Sequence, residues 1–312
     1  MEVDRVVRRE SAVNAWVPRQ TALQSLAMGL GKWITGRLRK SMGLECRSAQ
    51  VKGQNLVYLF RAGTGTPILL IHGYSAEKDN WLPFVRYLPK GRPLLILDLP
   101  GHGESDFSFA TDYTAPAFRD ILLDWLEVIE CPCCEIVVNS LGGWIALLIA
   151  HAQPQRVNTL GLIDAAGVYP PHPSELQRRL DRGENPMLVS SSEEYEAFMN
   201  FVFYRRPYLP WPIRIYMKVS YLTRSKQNNK IWHDMYDKLE SIEQLLPDIQ
   251  HPVLLIWGDQ DRVLDPSSVE VFEAGLPHVA TVVLKNCGHS PMLEQTKKTA
   301  AHYNAHLITH EA

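Results

Sequence analysis

The sequence predicts an α/β fold in which a mostly parallel sheet of eight strands is flanked by helices and interrupted by a helical insertion. Three observations support this fold class. Short apolar runs alternate with helical stretches from residue 49 onward, the alternation stops between Gly167 and Pro247, and polar motifs directly follow several of the apolar runs. A chain of 312 residues with 46% hydrophobic content is also long enough to bury a large core.

The alternation sets out the expected sheet. Strands are expected at residues 56–60, 68–71, 94–97, 136–138, 160–163, 253–257 and 281–284. Helices are expected at residues 81–88, 115–129, 141–152, 267–274 and 291–307. This pattern is typical of a parallel sheet covered by helices on both faces. Because ligands of such sheets bind beyond the carboxyl ends of the strands, functional residues are expected there.

The break in the alternation predicts a helical cap at residues 168–248, inserted between core segments 49–167 and 249–312. A cluster of prolines marks the turn into it, and Ser191 and Glu194 have the spacing of a capping box that starts a helix. The cap is rich in aromatic residues and methionine, which favours an apolar surface facing a substrate. Alternatively, these side chains attach the cap to the core.

Residues 1–48 form a basic N-terminal segment, in which nine Lys and Arg residues face four acidic ones. Within it, one face of a predicted helix is apolar, and Lys32 and Arg39 lie on the opposite face. The apolar positions are Leu23, Leu26, Ala27, Leu30, Ile34 and Leu38. One interpretation is a helix at residues 20–40 lying on an anionic membrane surface. The other is a helix packed on the domain or on a second subunit, as in a homodimer.

The composition limits the binding partners and the cellular compartment that we expect for the protein. Lys and Arg number 32 against 34 Asp and Glu, a net charge of −2, which gives no electrostatic drive toward nucleic acid. Five unevenly spaced cysteines do not resemble a disulfide framework, and no second ligand pair follows the Cys131–Cys134 cluster at a zinc-binding spacing. No secretory signal or spanning segment is recognised, so a cytoplasmic or peripheral inner-membrane location is expected.

Ser140 is the predicted nucleophile. It lies between an apolar run and a helical stretch, in the sequence Asn-Ser-Leu-Gly-Gly, which resembles the sharp strand-to-helix turn of a nucleophile elbow. Small residues are needed beside the serine, and Gly142 meets that need. Val138 departs from the pattern, because a glycine usually stands there. The alternative role of Ser140 is a helix N-cap.

The backbone N–H groups of Tyr74 and Leu141 are the predicted oxyanion-hole donors. Tyr74 belongs to a His-Gly-Tyr sequence directly after the run 68–71, and Leu141 follows the serine at a helix N-terminus. We expect His72 to be structural, as is the glycine-rich turn at residues 98–105. The side chains predicted to line the substrate pocket are Tyr74, Phe198, Phe201, Val202 and Val263.

Asp261 and His289 complete the predicted triad. Asp261 follows the run 253–257 after a turn begun by Gly258, and His289 follows the last apolar run. The chain order Ser, Asp, His is that of the hydrolase fold. Asp164, at the end of the run 160–163, remains the alternative acid.

From residue 33 onward the chain resembles α/β-hydrolase monoacylglycerol lipases, bacterial lipases and membrane-bound phospholipases A. The resemblance rests on residues 72–81, 98–105, 139–143, 256–266 and 286–291. It implies hydrolysis of lipid or short-chain carboxylic esters without a cofactor or metal, by Ser140, Asp261 and His289. Such proteins often carry an N-terminal membrane helix, but this segment is shorter and more interrupted.

Two other functions remain open. The same triad could hydrolyse a carbon–carbon bond of a ring-fission product, although an apolar cap favours lipid esters. A non-catalytic scaffold on this fold is the third hypothesis, and the intact Ser, Asp and His argue against it.

Overall fold

The structure is a computed structural model that describes residues 22–236 and 240–310. Its strands are β1 Glu45–Val51, β2 Gln54–Arg61, β3 Ile68–Ile71, β4 Leu94–Leu97, β5 Cys134–Ser140, β6 Val157–Ala165, β7 Val253–Gly258 and β8 Val279–Leu284. Its α-helices are α1 Ala22–Ser41, α2 Leu82–Val85, α3 Ala115–Val128, α4 Leu141–Ala152, α5 Glu175–Leu180, α6 Ser192–Val202, α7 Trp211–Thr223, α8 Ser225–Tyr236, α9 Ser268–Gly275, α10 Pro291–Glu294 and α11 Thr296–His310.

All eight strands belong to one sheet, in the order β1-β2-β4-β3-β5-β6-β7-β8. Only β2 runs against its neighbours, and the pairs from β4 to β8 are parallel. Strands β3, β4 and β7 are buried along their whole length, as expected of parallel strands covered on both faces. The predicted α/β class with a mostly parallel eight-stranded sheet is confirmed.

The first strand has no counterpart among the predicted apolar runs. β1 begins at Glu45, so the boundary drawn at residues 48 and 49 falls inside a strand of the sheet. Six of its seven residues are exposed or half-buried, because it is an edge strand that pairs only with β2. An edge strand of this kind carries no apolar run that a sequence pattern could detect.

The segment between β6 and β7 contains α5 to α8 and a 3₁₀ helix at Glu243–Asp248, and no strand among its described residues. Helix α6 starts with a capping box, in which Glu194 N–H donates to Ser191 Oγ (3.1 Å) and Ser191 N–H donates to Glu194 Oε2 (3.0 Å). The aromatic rings of Tyr195 and Phe198 pack against Tyr221 of α7. Part of the aromatic content therefore holds this segment together internally.

Helix α1 packs on α7 through small side chains. Ala27, Gly31 and Thr35 are buried and recur every four residues, so they form one face. Leu26, Leu30 and Trp33 are exposed on another face. The predicted apolar face is thus split between packing and solvent, while residues 20 and 21 lie outside the described part.

Arg39, predicted to lie opposite the apolar face of the helix, is half-buried against the domain. Its guanidinium pairs with Asp79, with Nε 2.7 Å from Oδ1, and this ties α1 to the loop after β3. Across residues 22–236 and 240–310, no helix is both long and apolar enough to cross a bilayer.

We expect Gly31→Ala to weaken the attachment of α1. A Cβ at this position would lie 2.5 Å from Tyr216 Cβ and 2.7 Å from the Pro212 carbonyl oxygen, so the helices must separate. Overpacking of this kind costs about 1–3 kcal/mol. Gly29→Ala is the matched control, because its Cβ would meet no atom within 4 Å and alanine favours the helix by up to about 1 kcal/mol. Thermal unfolding of both variants gives the comparison, and equal midpoints would contradict this packing.

Candidate active site

Ser140 is the last residue of β5 and directly precedes α4, with φ 54° and ψ −120°. A non-glycine residue in this region costs on the order of 1–3 kcal/mol, and such strain occurs at functional turns. Gly142 makes the turn possible, since a Cβ there would lie 2.8 Å from the Ile71 carbonyl oxygen. Val138 is fully buried in the core, so the elbow forms with valine at the position where a glycine usually stands.

The loop after β3 runs beside Ser140. A Cβ on Gly73 would lie 2.9 Å from Ser140 Cβ, so the next backbone amide, that of Tyr74, is adjacent to the serine. Leu141 is the first residue of α4, and the N–H groups of a first helical turn have no partner within the helix. Both predicted oxyanion donors therefore flank Ser140. Tyr74 is fixed by its hydroxyl, which donates to the Asn228 carbonyl oxygen (2.9 Å).

Three charged pairs hold the same loop from outside. Lys78, only 1% exposed, pairs with Asp98 at the end of β4, and Arg39 of α1 pairs with Asp79. Arg224, at the end of α7, pairs with Glu77 at 2.8 Å. Because buried pairs are costly to break, the backbone at Tyr74 is held by the sheet, by α1 and by the inserted segment together.

His72 supports this loop as a neutral side chain. Its Nδ1 donates to the Gly73 carbonyl oxygen (2.8 Å), and its Nε2 accepts from Leu99 N–H (3.1 Å). Full burial lowers the pKa of His72 to about 3, so the ring stays uncharged. Its two nitrogens are thus occupied by backbone groups, which agrees with a structural role.

Asp261 and His289 meet at the carboxyl ends of β7 and β8. His289 Nδ1 lies 2.7 Å from Asp261 Oδ2, and both residues are buried. Asp261 Oδ1 also accepts hydrogen bonds from the backbone of Val263 (2.8 Å) and Leu264 (3.1 Å). These bonds fix the orientation of the carboxyl group, so Asp261 can hold the imidazole in one tautomer.

Asn139 joins the serine turn to the histidine loop. Its side-chain amide donates to the carbonyl oxygens of Ile163 (3.1 Å) and His289 (3.2 Å). Sequence reasoning did not single out this residue. The sequence did place Asn139 directly before the serine, at the end of a buried strand. A buried amide there must find hydrogen-bond partners, which could have indicated its role.

Glu294 and the inserted segment position His289 from the other side. His289 N–H donates to the Val202 carbonyl oxygen at the end of α6 (2.9 Å). The carboxylate of Glu294 accepts from Gly288 N–H (2.9 Å) and from Arg205 N–H (2.8 Å), so it bridges the histidine loop and the inserted segment. Burial raises the pKa of Glu294. Sequence reasoning missed Glu294, because nothing in its spacing distinguishes it from a solvated helix residue.

The side chains predicted for the pocket are distributed unevenly. Val202 and Val263 reach the site through their backbones, to His289 and Asp261 respectively. Phe198 packs on Tyr221, and the ring of Phe201 lies under the guanidinium of Arg179, at 5.0 Å. Both phenylalanines are buried within the inserted segment.

Asp164, Asp261 and His289 are the one group within the described ranges whose ligand atoms are close enough to hold a metal, within 4.8 Å of one another. A direct hydrogen bond already joins His289 Nδ1 to Asp261 Oδ2, so a metal would have to displace it. Cys131 and Cys134 lie at the opposite end of β5 from Ser140.

The arrangement can perform nucleophilic acyl transfer. It combines a serine on a strained turn, the backbone N–H groups of the neighbouring Tyr74 and Leu141, and an aspartate–histidine pair at the ends of β7 and β8. Serine hydrolases use this set of groups.

The chain belongs to the alpha/beta hydrolase family, whose sequence model matches residues 68–302. Lipase 1 of Psychrobacter immobilis is 30% identical over 288 residues, which covers 91% of this chain and 90% of that protein. Monoacylglycerol lipase ABHD6 of Homo sapiens is 27% identical over 275 residues, with 84% and 82% covered. The crystal structure of a membrane phospholipase A, described as a novel bacterial virulence factor, superimposes with a TM-score of 0.88 at 36% identity and covers 98% of this chain and 97% of that one.

We expect Glu294→Gln to lower kcat/KM for an ester substrate by about tenfold, because an amide NH₂ would face one of two backbone N–H groups and the histidine loop would loosen. Glu243→Gln is the matched control. Its carboxylate also accepts from a backbone N–H, that of Tyr169 (2.8 Å), but holds a different loop. Steady-state hydrolysis of p-nitrophenyl butyrate by both variants measures the difference. Equal activities would show that Glu294 does not position His289.

Proposed function

We propose that this protein hydrolyses carboxylic esters of lipids through an acyl-enzyme formed on Ser140. The substrates would be monoacylglycerols, lysophospholipids or phospholipids, or short- to medium-chain acyl esters. The observation that carries the proposal is the buried Asp261–His289 pair, 2.7 Å apart, at the same sheet edge as the strained serine. Relatives that match over most of the chain are named lipases, which supports lipid esters.

Acylation begins when His289 Nε2 takes the proton of the Ser140 hydroxyl and the serine oxygen attacks the ester carbonyl carbon. The carbonyl oxygen becomes an oxyanion that accepts hydrogen bonds from the N–H groups of Tyr74 and Leu141. The positive end of the α4 dipole lies at the same place and stabilises the same charge. His289 then protonates the leaving alcohol, and the acyl group remains on Ser140.

Deacylation repeats these steps with water. His289 removes a proton from the water molecule, the hydroxide attacks the acyl carbon, and the returning proton restores Ser140. Asp261 remains ionised throughout and stabilises the imidazolium that forms twice in each cycle. The chemistry of these groups requires no cofactor.

Apolar substrates fit the surface of the inserted segment. Tyr208 is 91% exposed and Trp211 is 42% exposed, although large aromatic side chains are usually buried. Trp211 is the first residue of α7, the helix on which α1 packs, and Tyr208 lies three residues before it. We propose that residues 168–248 act as a cap that admits acyl chains to Ser140.

Ser140→Ala tests the proposed reaction. We expect turnover of p-nitrophenyl butyrate to fall by at least about 10³-fold, because the nucleophile is lost while the oxyanion donors remain. A chain-length series of esters, compared with a vinylogous diketone, separates ester hydrolysis from carbon–carbon bond cleavage. Unchanged ester turnover in Ser140→Ala would contradict the assignment of Ser140 as nucleophile. Preferred cleavage of the diketone would show that the substrates are ring-fission products and not esters.

We also propose that α1 rests on the surface of an anionic bilayer, which would make the protein peripheral to the inner membrane. Leu26, Leu30 and Trp33 form an exposed stripe along α1, and they are 68%, 41% and 60% exposed. The same stripe continues through Arg37, whose guanidinium lies 5.5 Å from the centre of the Trp33 ring. Apolar and aromatic side chains followed by cations are typical of an interfacial helix, and each cation near an anionic surface contributes about 1 kcal/mol.

The test is sedimentation with vesicles that contain phosphatidylglycerol. We expect Leu30→Ser/Trp33→Ser to reduce the bound fraction at least about tenfold, since both side chains would lose their apolar contact with the bilayer. Val128→Ser/Ile308→Ser is the matched control, because these residues are also exposed, at 53% and 74%, but lie on α3 and α11. Equal loss in both variants would contradict a specific surface. A different outcome would assign the stripe to a second copy of the chain. In that case the wild type would be a dimer that does not bind vesicles, and the Leu30→Ser/Trp33→Ser variant would be a monomer.

A further inference from the structure

Asp164 is a buried carboxyl group that the proposed mechanism does not use. It lies near the end of β6, is fully buried, and has a φ of 43°, which is unusual for a non-glycine residue. Its Oδ1 accepts a hydrogen bond from Gly258 N–H (2.8 Å), and its Oδ2 has no partner among the residues that the structure describes. A strained, half-satisfied acid at this edge of the sheet needs a physical explanation.

The surroundings of Asp164 disfavour a negative charge. One carboxyl oxygen of Asp164, one of Asp261 and one ring nitrogen of His289 all lie within 4.8 Å of one another. Asp261 has more of the hydrogen bonds that a carboxylate needs, because it is bonded to two backbone N–H groups and to His289, whereas Asp164 accepts from Gly258 N–H. Two adjacent buried carboxyl groups do not both ionise readily, so one of them retains a proton.

The other titratable groups near Asp164 add no positive charge unless His289 is protonated. Cys287 and Glu294 approach from the histidine loop and from α10, and both interact unfavourably with a charge in this region. Burial and the charge of Asp261 raise the pKa of Asp164 well above its ordinary value. Both effects favour the neutral form of the Asp164 carboxyl group.

We propose that Asp164 is a second acid of His289, held protonated while Asp261 is ionised and able to become the anionic partner of the imidazole when the charge of Asp261 is removed. This inference rests on the proposed function of Ser140 and His289. Asp164 acts through His289 and is a positioning residue. A role beside the histidine would explain why an aspartate occupies a position with a strained backbone.

The test compares Asp261→Ala with Asp261→Ala/Asp164→Asn. Alanine is used at position 261 because an asparagine amide would face Nδ1 and fix the wrong tautomer. Neutralising the only acid of a triad costs about 10⁴-fold in kcat, and we expect the double variant to fall to that level. Asp261→Ala alone should remain at least roughly tenfold more active, because Asp164 takes over. Asp164→Asn alone should lose less than about tenfold, because it replaces a neutral acid with an isosteric amide.

A pH profile separates this role from a merely structural one. In Asp261→Ala, kcat/KM should rise with pH through the ionisation of Asp164, above the ordinary range of aspartate, and the double variant should lack this rise. Superimposable profiles would overturn the proposal. If the double variant does not fold, Asp261→Ala alone decides the question. A kcat/KM profile of this variant that does not rise above the ordinary range of aspartate would also overturn the proposal.

Stability gives an independent readout that needs no activity. A folded state that keeps a proton on Asp164 binds more protons than the unfolded chain above the ordinary aspartate pKa, so the wild type loses stability as the pH rises through that range. Asp164→Asn has no such proton. Its melting temperature relative to wild type should therefore increase from pH 5 to pH 8, and a constant difference would overturn the proposal.

Ser140→Ala distinguishes the failure of this inference from the failure of the proposed function. If Ser140→Ala is inactive and the two Asp261 variants are equal, the serine mechanism stands and the second acid is wrong. If Ser140→Ala is fully active, the proposed mechanism is wrong, and the role of Asp164 through His289 fails with it.

Discussion

The strained backbone of Ser140 is the constraint on which the other parts of the site depend. A positive φ at a serine is tolerated only where the surrounding structure fixes it, and here β5 enters the turn while α4 leaves it. The turn places the hydroxyl at the sheet edge and aligns the first N–H of α4 beside it. It also forces the chain after β3 to pass close by, which is how Tyr74 becomes a neighbour of the serine.

Placement of the histidine is shared between the sheet and the inserted segment. Asp261 and Asn139 hold His289 from the sheet, while Val202 accepts its backbone N–H from the end of α6. Glu294 couples the same loop to Arg205. The loop that carries Tyr74 is similarly tied to both sides, through Lys78 and Arg224. Movement of the inserted segment would therefore alter both His289 and the loop that carries Tyr74.

The sequence was sufficient for features that follow from local chemistry. Apolar runs predicted the central strands, because both faces of a parallel sheet are buried, and the residues after them predicted Ser140, Asp261 and His289 as candidates. β1 escaped prediction because an edge strand is largely exposed. Arg39 and Glu294 escaped because their partners, Asp79 and Gly288, are set by tertiary packing. The helical period identified α1 but could not show that Gly31 would turn toward α7.

The most direct test of the account is labelling of the intact protein with a fluorophosphonate, followed by mass spectrometry of its peptides. A serine activated by a neighbouring histidine and flanked by oxyanion donors should form one stoichiometric phosphonyl adduct. The proposed mechanism predicts that the adduct lies on Ser140 and that protein denatured before labelling forms no adduct. A protein that hydrolyses esters but carries its adduct on another residue, or carries none, would contradict it.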